Sequence, residues 1–254
     1  MLQNLLPAEI FTYALVFSRL GATLITMPGF GESYVSPRIR LLIALALTVL
    51  LTPIIAEKLP ALPAAPISLL LLVLGEILIG VFIGSVARLL MSALATGGAM
   101  LAFLSGLANA MLFNPLLSDQ SALPSVFLSI LGLLLIFATD THHLMLMALL
   151  DSYALFQPGV VPAFDDFSNT MALLLAESFR VGLQVAMPFV MFGITFYTGM
   201  GLLARLMPQM PIFLVALPAQ ITLGLFLMLT TFPAALLWFL NYYQTTFTRL
   251  FLPG

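Results

Sequence analysis

Residues 95–124 read ATGGAMLAFLSGLANAMLFNPLLSDQSALP and lie between strongly apolar segments. Glycine in a helix interior costs about 1 kcal/mol relative to alanine, and proline removes a backbone hydrogen-bond donor. The pairs Gly97–Gly98 and Asn114–Pro115 therefore predict that the helix breaks in this stretch. Broken backbone at membrane depth persists only where other protein or a water-filled cavity satisfies its polar groups. The question for the rest of the chain is therefore whether this stretch faces other protein or a water-filled cavity.

The composition identifies the class of protein. The chain has 254 residues, of which 62% are hydrophobic and 7% are charged, and its mean hydropathy is +1.16. A soluble domain of this length does not tolerate such a composition, so we expect an all-α, polytopic integral membrane protein. The eight Lys and Arg residues are scattered, which excludes a basic patch for nucleic acid. The absence of cysteine excludes disulfides, thiol catalysis and thiolate metal sites.

Six apolar segments approach the length of about 20 residues that crosses a bilayer. They lie at residues 8–27, 39–56, 67–95, 123–150, 171–200 and 211–242. Residues 151–170, DSYALFQPGVVPAFDDFSNT, contain proline, glycine and paired aspartates and are predicted to form a polar, solvated loop. The other connections are short, which favours helical hairpins. We see neither a soluble domain nor a tandem repeat, so residues 1–254 are expected to form one membrane unit.

Charged residues inside the apolar segments need partners. Arg19 lies in the middle of the first segment and is predicted to face protein, water or a counter-ion, most simply in an ion pair within a bundle. Glu76, Gly80, Gly84 and Arg88 recur every fourth residue in the third segment. The two glycines form a small-xxx-small pattern, which predicts close helix packing. Twelve residues of helix place Glu76 and Arg88 about 120° apart, so they cannot pair with each other.

The fifth segment carries a second polar stripe. Glu177 and Arg180 are three residues apart and can pair directly, and Gln184 follows one turn later. Pro188 is predicted to kink or end the first part of this helix. Such a stripe faces either protein or a pore, and the sequence leaves both possibilities open. The residues predicted to make inter-helix or inter-subunit polar contacts are Arg19, Glu76, Arg88, Glu177, Arg180, Gln184 and Arg205.

A polar cluster near the end of the fourth segment raises the question of a metal site. Asp140, His142, His143 and Asp151 are residue types that bind zinc. Adjacent histidines on a helix point about 100° apart, and no HExxH motif is present. We therefore interpret the cluster as a polar helix boundary and expect neither a metal nor another cofactor. No GxSxG or phosphate-binding loop occurs, so no catalytic residue is assigned.

Residues 201–224, GLLARLMPQMPIFLVALPAQITLG, resemble the signature of the FliR family, the export-gate subunits of the flagellar type III protein-export apparatus. This family is homologous to a subunit of virulence injectisomes. The resemblance includes MPGFG at 27–31, SPRIRLLIALALTVLLTP at 36–53, GEILIGVFIG at 75–84, NPLLSDQ at 114–120 and LLDSYALFQPG at 149–159. The RLMPQMPIF match favours the flagellar branch over the injectisome branch.

The resemblance implies a single copy assembled with several copies of the membrane proteins FliP and FliQ into a closed pore for unfolded proteins. It also implies that FlhB wraps the cytoplasmic entrance, and that the assembly lies in the bacterial inner membrane at the flagellar basal body. Residues 104–121, here called the central loop, correspond to the family's plug, although they could simply reverse the chain. Flexible methionines and bulky aromatics suit such a seal. The predicted plug residues are Met100, Phe103, Leu104, Gly106, Asn109, Met111, Phe113, Asn114 and Pro115.

Two other functions compete with this interpretation. A self-contained secondary transporter could use Arg19 and Glu76 at a midplane site, and it would require discontinuous helices in two similar halves. Only a faint similarity connects the helices around Glu76 and Glu177. A membrane-embedded hydrolase using His143 and the aspartates is the weakest alternative. We therefore expect a non-enzymatic subunit of the flagellar export gate.

Overall fold

The computed structural model describes residues 2–108, 123–160, 164–209 and 212–252. In these ranges the chain forms seven α-helices and a short 3-10 turn at Ala56–Lys58, with no strand. The helices are α1 (Leu2–Thr26), α2 (Pro37–Ile55), α3 (Pro66–Leu104), α4 (Leu123–Ala138), α5 (Thr141–Leu155), α6 (Phe164–Leu206) and α7 (Ile212–Phe251). The predicted all-α fold class is confirmed.

Several of these helices are long and apolar enough to cross a membrane. Within the described ranges, four helical segments have the length and the apolar composition of a membrane span. They are Pro37–Lys58, Pro66–Leu104, Asp165–Leu206 and Ala216–Phe251. The pair α4 and α5 makes a fifth span if its bent halves count as one. This confirms a polytopic membrane protein.

The chain divides into two compact units. Unit 1 contains Met1–Leu90, Phe137–Leu174 and Gln244–Gly254, and unit 2 contains Met91–Ile136 and Leu175–Tyr243. Unit 1 therefore contains α1, α2, α5 and the first part of α3, together with the start of α6 and the end of α7. Unit 2 contains the end of α3, nearly all of α4, and the larger parts of α6 and α7, which are the C-terminal part of α6 and the N-terminal part of α7.

Helix α3 breaks within residues 95–124, as predicted, but it ends at Leu104 and not at the predicted residue 95. The helix continues through Gly97 and Gly98 and ends at Leu104. Both glycines lie against neighbouring backbone in unit 2, where a Cβ on Gly97 would stand 2.9 Å from the Gly182 carbonyl oxygen. Ser125 also donates a hydrogen bond to the Ala95 carbonyl at 2.8 Å. Close helix packing therefore offsets the poor helix propensity of the pair.

The fourth predicted helix, residues 123–150, is wrong as a single element. It consists of α4 and α5, which are bent by 74° at the short break between them. Asp140 lies at this break with φ 57°, in the left-handed region that aspartate tolerates better than most residues. The hydroxyls of Thr139 and Thr141 are 2.9 Å apart on either side of it. The short polar run around Asp140 therefore marks the sharp bend between α4 and α5, which we call the elbow.

The polar loop predicted at 151–170 is also too long. Its first residues complete α5, and residues from Phe164 onward belong to α6. Asp165 and Asp166 lie in the first turn of α6, where acidic side chains stabilise the positive end of the helix dipole. These aspartates therefore mark the start of a helix.

Proline does not end the long helices of unit 2. Pro188 lies inside α6, and Pro218 and Pro233 lie inside α7. Of the two possibilities predicted for Pro188, the end of the helix is excluded, because α6 continues to Leu206. Membrane helices tolerate proline because neighbouring helices and polar side chains can satisfy the freed backbone groups.

Small residues bring α1 and α3 together in unit 1. A Cβ on Gly84 would meet the Thr26 hydroxyl and would stand 2.8 Å from the Thr23 carbonyl oxygen. A Cβ on Gly80 would meet the Arg19 carbonyl oxygen. Gly75, on the same helix, has nothing within 4 Å of its Cβ position. Backbone contact of this kind leaves no room for a methyl group.

We expect Gly84→Ala to lower the free energy of unfolding by about 1–3 kcal/mol, the usual cost of forcing extra atoms into a packed interface. The matched control Gly75→Ala should be neutral or stabilising by up to about 1 kcal/mol, because alanine is the better helix former. Thermal unfolding of the purified variants in detergent measures both effects. Equal stabilities for the two variants would contradict the close contact of α1 with α3.

Candidate functional site

A fully buried ion pair lies at the centre of unit 1. The Arg19 guanidinium donates from Nε to Glu76 Oε2 at 2.7 Å and from Nη2 to Oε1 at 3.0 Å. The two side chains are 0% and 1% exposed. This bidentate geometry is the strong form of an arginine–carboxylate pair, and it joins α1 to α3.

The other donors of Arg19 reach the C-terminal end of α5. Nη1 donates to Ser152 Oγ at 3.1 Å, and Nη2 donates to the Phe156 carbonyl at 3.0 Å. The guanidinium carbon lies 3.9 Å from the centre of the Tyr153 ring, a cation–π contact. A cation is also favoured at the negative end of a helix dipole. Arg19 and Glu76 therefore connect three helices, a set of contacts we call the arginine node.

Arg88 makes a more exposed contact with the end of α1. Its Nε donates to the Thr26 carbonyl at 3.0 Å. Its Nη2 lies 3.6 Å from Glu32 Oε1, with the two side chains 52% and 35% exposed. The last carbonyl groups of a helix accept no hydrogen bond from within the helix. Arg88 donates one to the last residue of α1, Thr26.

The polar residues of α6 lie mostly on its surface. Arg180 Nη2 stands 3.4 Å from Glu177 Oε1, and the Arg180 side chain is 67% exposed. Gln184 is exposed one turn later, near the middle of the helix. Arg205 is exposed in the last turn. In this chain, then, the α6 stripe presents polar groups outward instead of joining the arginine node.

The end of α3 is held in unit 2 by a residue that the sequence analysis missed. Gln220 is 5% exposed, and its Nε2 donates to the Leu104 carbonyl at 2.9 Å and contacts Tyr197 Oη at 3.0 Å. Gly106, whose φ is 77°, lies against the same amide. The signal was a glutamine among apolar residues of α7, a residue type that needs hydrogen-bond partners when buried.

The predicted plug residues are only partly within the described chain. Met100 is half-buried and Phe103 is 70% exposed near the end of α3. Leu104 and Gly106 lie at the contact with Gln220. The remaining predicted plug residues lie outside the described residues and are Asn109, Met111, Phe113, Asn114 and Pro115.

The elbow between α4 and α5 brings three of the four metal-ligand candidates together. Ligand atoms of Asp140, His142 and His143 lie within 4.8 Å of one another. The two imidazole ring centres are 4.2 Å apart with the planes tilted by 34°. Asp140 and His143 are exposed, and exposed acidic groups are common without an ion. We assign no metal to this group.

We expect Arg19→Leu to lower the free energy of unfolding by about 3–5 kcal/mol, because it leaves the Glu76 carboxylate buried without its partner. The double variant Arg19→Leu, Glu76→Leu should recover a large part of that loss. Arg180→Leu is the control on an exposed pair and should cost less than about 1 kcal/mol. Denaturation of each variant in detergent tests this, and additive losses in the double variant would contradict a coupled pair.

Comparison with known proteins accounts for nearly the whole chain. The family model described as bacterial export proteins, family 1, matches residues 10–246. The flagellar biosynthetic protein FliR of Caulobacter vibrioides is 38% identical over 220 residues, covering 87% of this chain and 88% of that protein. FliR of Aquifex aeolicus is 28% identical over 238 residues, covering 94% and 92%.

A relative from a virulence system also matches. The Yop proteins translocation protein T of Yersinia pestis is 27% identical over 229 residues, covering 87% of this chain and 85% of that protein. The matched region includes α2 to α6, the arginine node and Gln220. The chain therefore belongs to family 1 of the bacterial export proteins, the FliR family of the flagellar export apparatus.

Proposed function

We propose that this chain is a pore-forming subunit of the flagellar type III export gate in the bacterial inner membrane, at the base of the flagellum. It assembles with FliP and FliQ into a closed conduit, with FlhB at the cytoplasmic entrance, and unfolded protein substrates pass through it. The whole chain acts as one export-gate unit. The observation that carries the proposal is the family match over residues 10–246.

The central loop is proposed as the plug of this conduit. Its first residue, Leu104, is the last residue of α3, and its carbonyl accepts a hydrogen bond from Gln220 within unit 2. A seal has to return to one position after each passage, and a loop fixed at its base does so more readily than one attached to a fraying helix. Phe103, 70% exposed at the same helix end, offers an apolar surface for closure.

The subunit is proposed to be passive. The chain contains no phosphate-binding loop, and its best-formed polar group, the arginine node, is fully buried and bonded internally. Such a group stabilises a fold and offers no open position to a substrate. The energy for export then comes from other components of the apparatus.

Removing residues 110–119 should open the resting pore. Cells expressing the shortened chain with its partner subunits are expected to become permeable to ions and small solutes, while the complex still assembles. Uptake of a small impermeant dye measures the leak, and co-purification of the subunits serves as the control for assembly. Unchanged permeability in an intact complex would remove the plug assignment. A wild-type chain that purifies only as a monomer would instead favour a self-contained transporter.

Gln220→Leu should produce a smaller leak of the same kind. The variant keeps the side-chain volume but removes the donor to the Leu104 carbonyl, which frees the end of α3 at a cost of about 1–3 kcal/mol. The control is Thr222→Val on the same helix, because Thr222 is exposed and bonds only its own helix at Pro218. The same dye assay applies. A leak of equal size in both variants would contradict the role of Gln220.

A further inference from the structure

An open groove lies between α6 and α7 in unit 2. Its volume is about 370 Å³. The lining includes Gln184, Pro188, Thr231, Ala234, Ala235 and Trp238. Both walls belong to helices that are long and apolar enough to span a membrane.

The groove contains polar groups that the chain does not satisfy. Within the described ranges, neither the Gln184 side-chain amide nor the indole N–H of Trp238 forms a hydrogen bond. The Trp238 side chain is 55% exposed. Pro188 has no N–H, so the Gln184 carbonyl lacks the donor that residue 188 would normally supply. The groove therefore offers both donors and acceptors.

These groups identify the chemistry of the occupant. An unsatisfied polar group at membrane depth costs several kcal/mol, so an acyl chain, which has no polar atoms, leaves this surface uncompensated. A side chain with both a donor and an acceptor satisfies it, as serine, threonine, asparagine and glutamine do. Such residues form hydrogen bonds between membrane helices.

The shape of the groove fits a helix as well. Ala234 and Ala235 line the α7 wall, and small residues of this kind let a second helix backbone approach closely. The hydroxyls of Thr230 and Thr231 already donate to the Leu227 carbonyl, 2.9 Å and 2.8 Å away. The polar groups of the groove that remain without a hydrogen bond in the described part of the chain are therefore the Gln184 side-chain amide, the Gln184 carbonyl and the Trp238 indole N–H.

We propose that this groove is the docking site for an apolar helix of another membrane subunit, which inserts a serine, threonine, asparagine or glutamine side chain against Gln184. This inference rests on the proposed function, because it requires a hetero-oligomeric assembly. It adds the surface of this chain that is used and the type of residue that the partner contributes.

The first test fills the groove. Ala235→Phe should reduce the fraction of the chain that co-purifies with its partner subunits about tenfold or more, since it places a ring where the helix would lie. Ala219→Phe is the matched control, because it is the same substitution at an exposed position of α7 about 160° away around the helix. Equal assembly of the two variants, or equal loss, would overturn the proposal.

The second test separates a helix from a lipid. Gln184→Leu preserves volume and should reduce assembly about threefold to thirtyfold, the range of one interhelical hydrogen bond. Gln157→Leu, in the exposed segment after α5, should have no effect. Unchanged or improved assembly of Gln184→Leu would assign the groove to lipid and overturn the proposal.

A photo-cross-linker at Trp238 tests the same contact without depending on how a groove variant folds. The expected adduct in the assembled complex joins Trp238 to an apolar segment of another subunit, within one turn of a serine, threonine, asparagine or glutamine. An adduct with lipid alone, or with a second copy of this chain, would overturn the proposal. If the wild-type chain forms no hetero-complex at all, the proposed function fails together with this inference. A normal complex without the cross-link removes the docking site alone.

Discussion

The pairing of Arg19 with Glu76 is the constraint on which unit 1 depends. Both side chains are buried, and an unpaired charge at such a position would cost several kcal/mol. Beside the pair, the backbones of α1 and α3 come very close, and glycine makes this possible. Gly80 lies one turn after Glu76, and its Cβ position meets the Arg19 carbonyl. The glycines therefore provide the close contact between α1 and α3 beside which the ion pair is buried.

Among the residues of unit 2 that the structure describes, a related problem is solved without a buried charge. Gly97 lies against the backbone of Gly182, so helices approach as closely there as in unit 1. The polar requirement is met by the buried Gln220 amide, which bonds the last carbonyl of α3. An amide supplies a donor without the desolvation cost of an ion. It suits a helix end from which a loop continues.

How much could be predicted from the sequence depended on whether the decisive interaction was local. Helix geometry excluded a Glu76–Arg88 pair, and the apolar surroundings of Arg19 required a partner for it. That this partner is Glu76, 57 residues away in sequence, became clear only from the fold. The third helix was expected to end at residue 95, before Gly97, because helix propensity counts only the local cost, whereas the compensating contact comes from α6. Asp140 was recognised as a boundary, but its left-handed backbone, and with it the 74° bend, is not encoded in residue type.

The lengths of the helices add an argument about the environment of the chain. At about 1.5 Å per residue, the 43 residues of α6 extend roughly 64 Å. The hydrocarbon core of a bilayer is only about 30 Å thick. To fit inside it, the helix would need a tilt of about 60°, far beyond the usual 20°. Leu173 and Leu206, 63% and 76% exposed on this helix, lie about 50 Å apart along it, so at least one of these apolar side chains lies beyond the hydrocarbon core.

Exposed apolar surface outside a bilayer has to be covered by protein, because water does not compensate it. This physical requirement is independent of the family match. Under the docking proposal, a helix that covers the groove of unit 2 also supplies the hydrogen-bond partner of Gln184. The length of α6 and the unbonded polar groups of the groove then have one explanation. Other subunits of the proposed assembly cover apolar and polar surface that this chain leaves exposed.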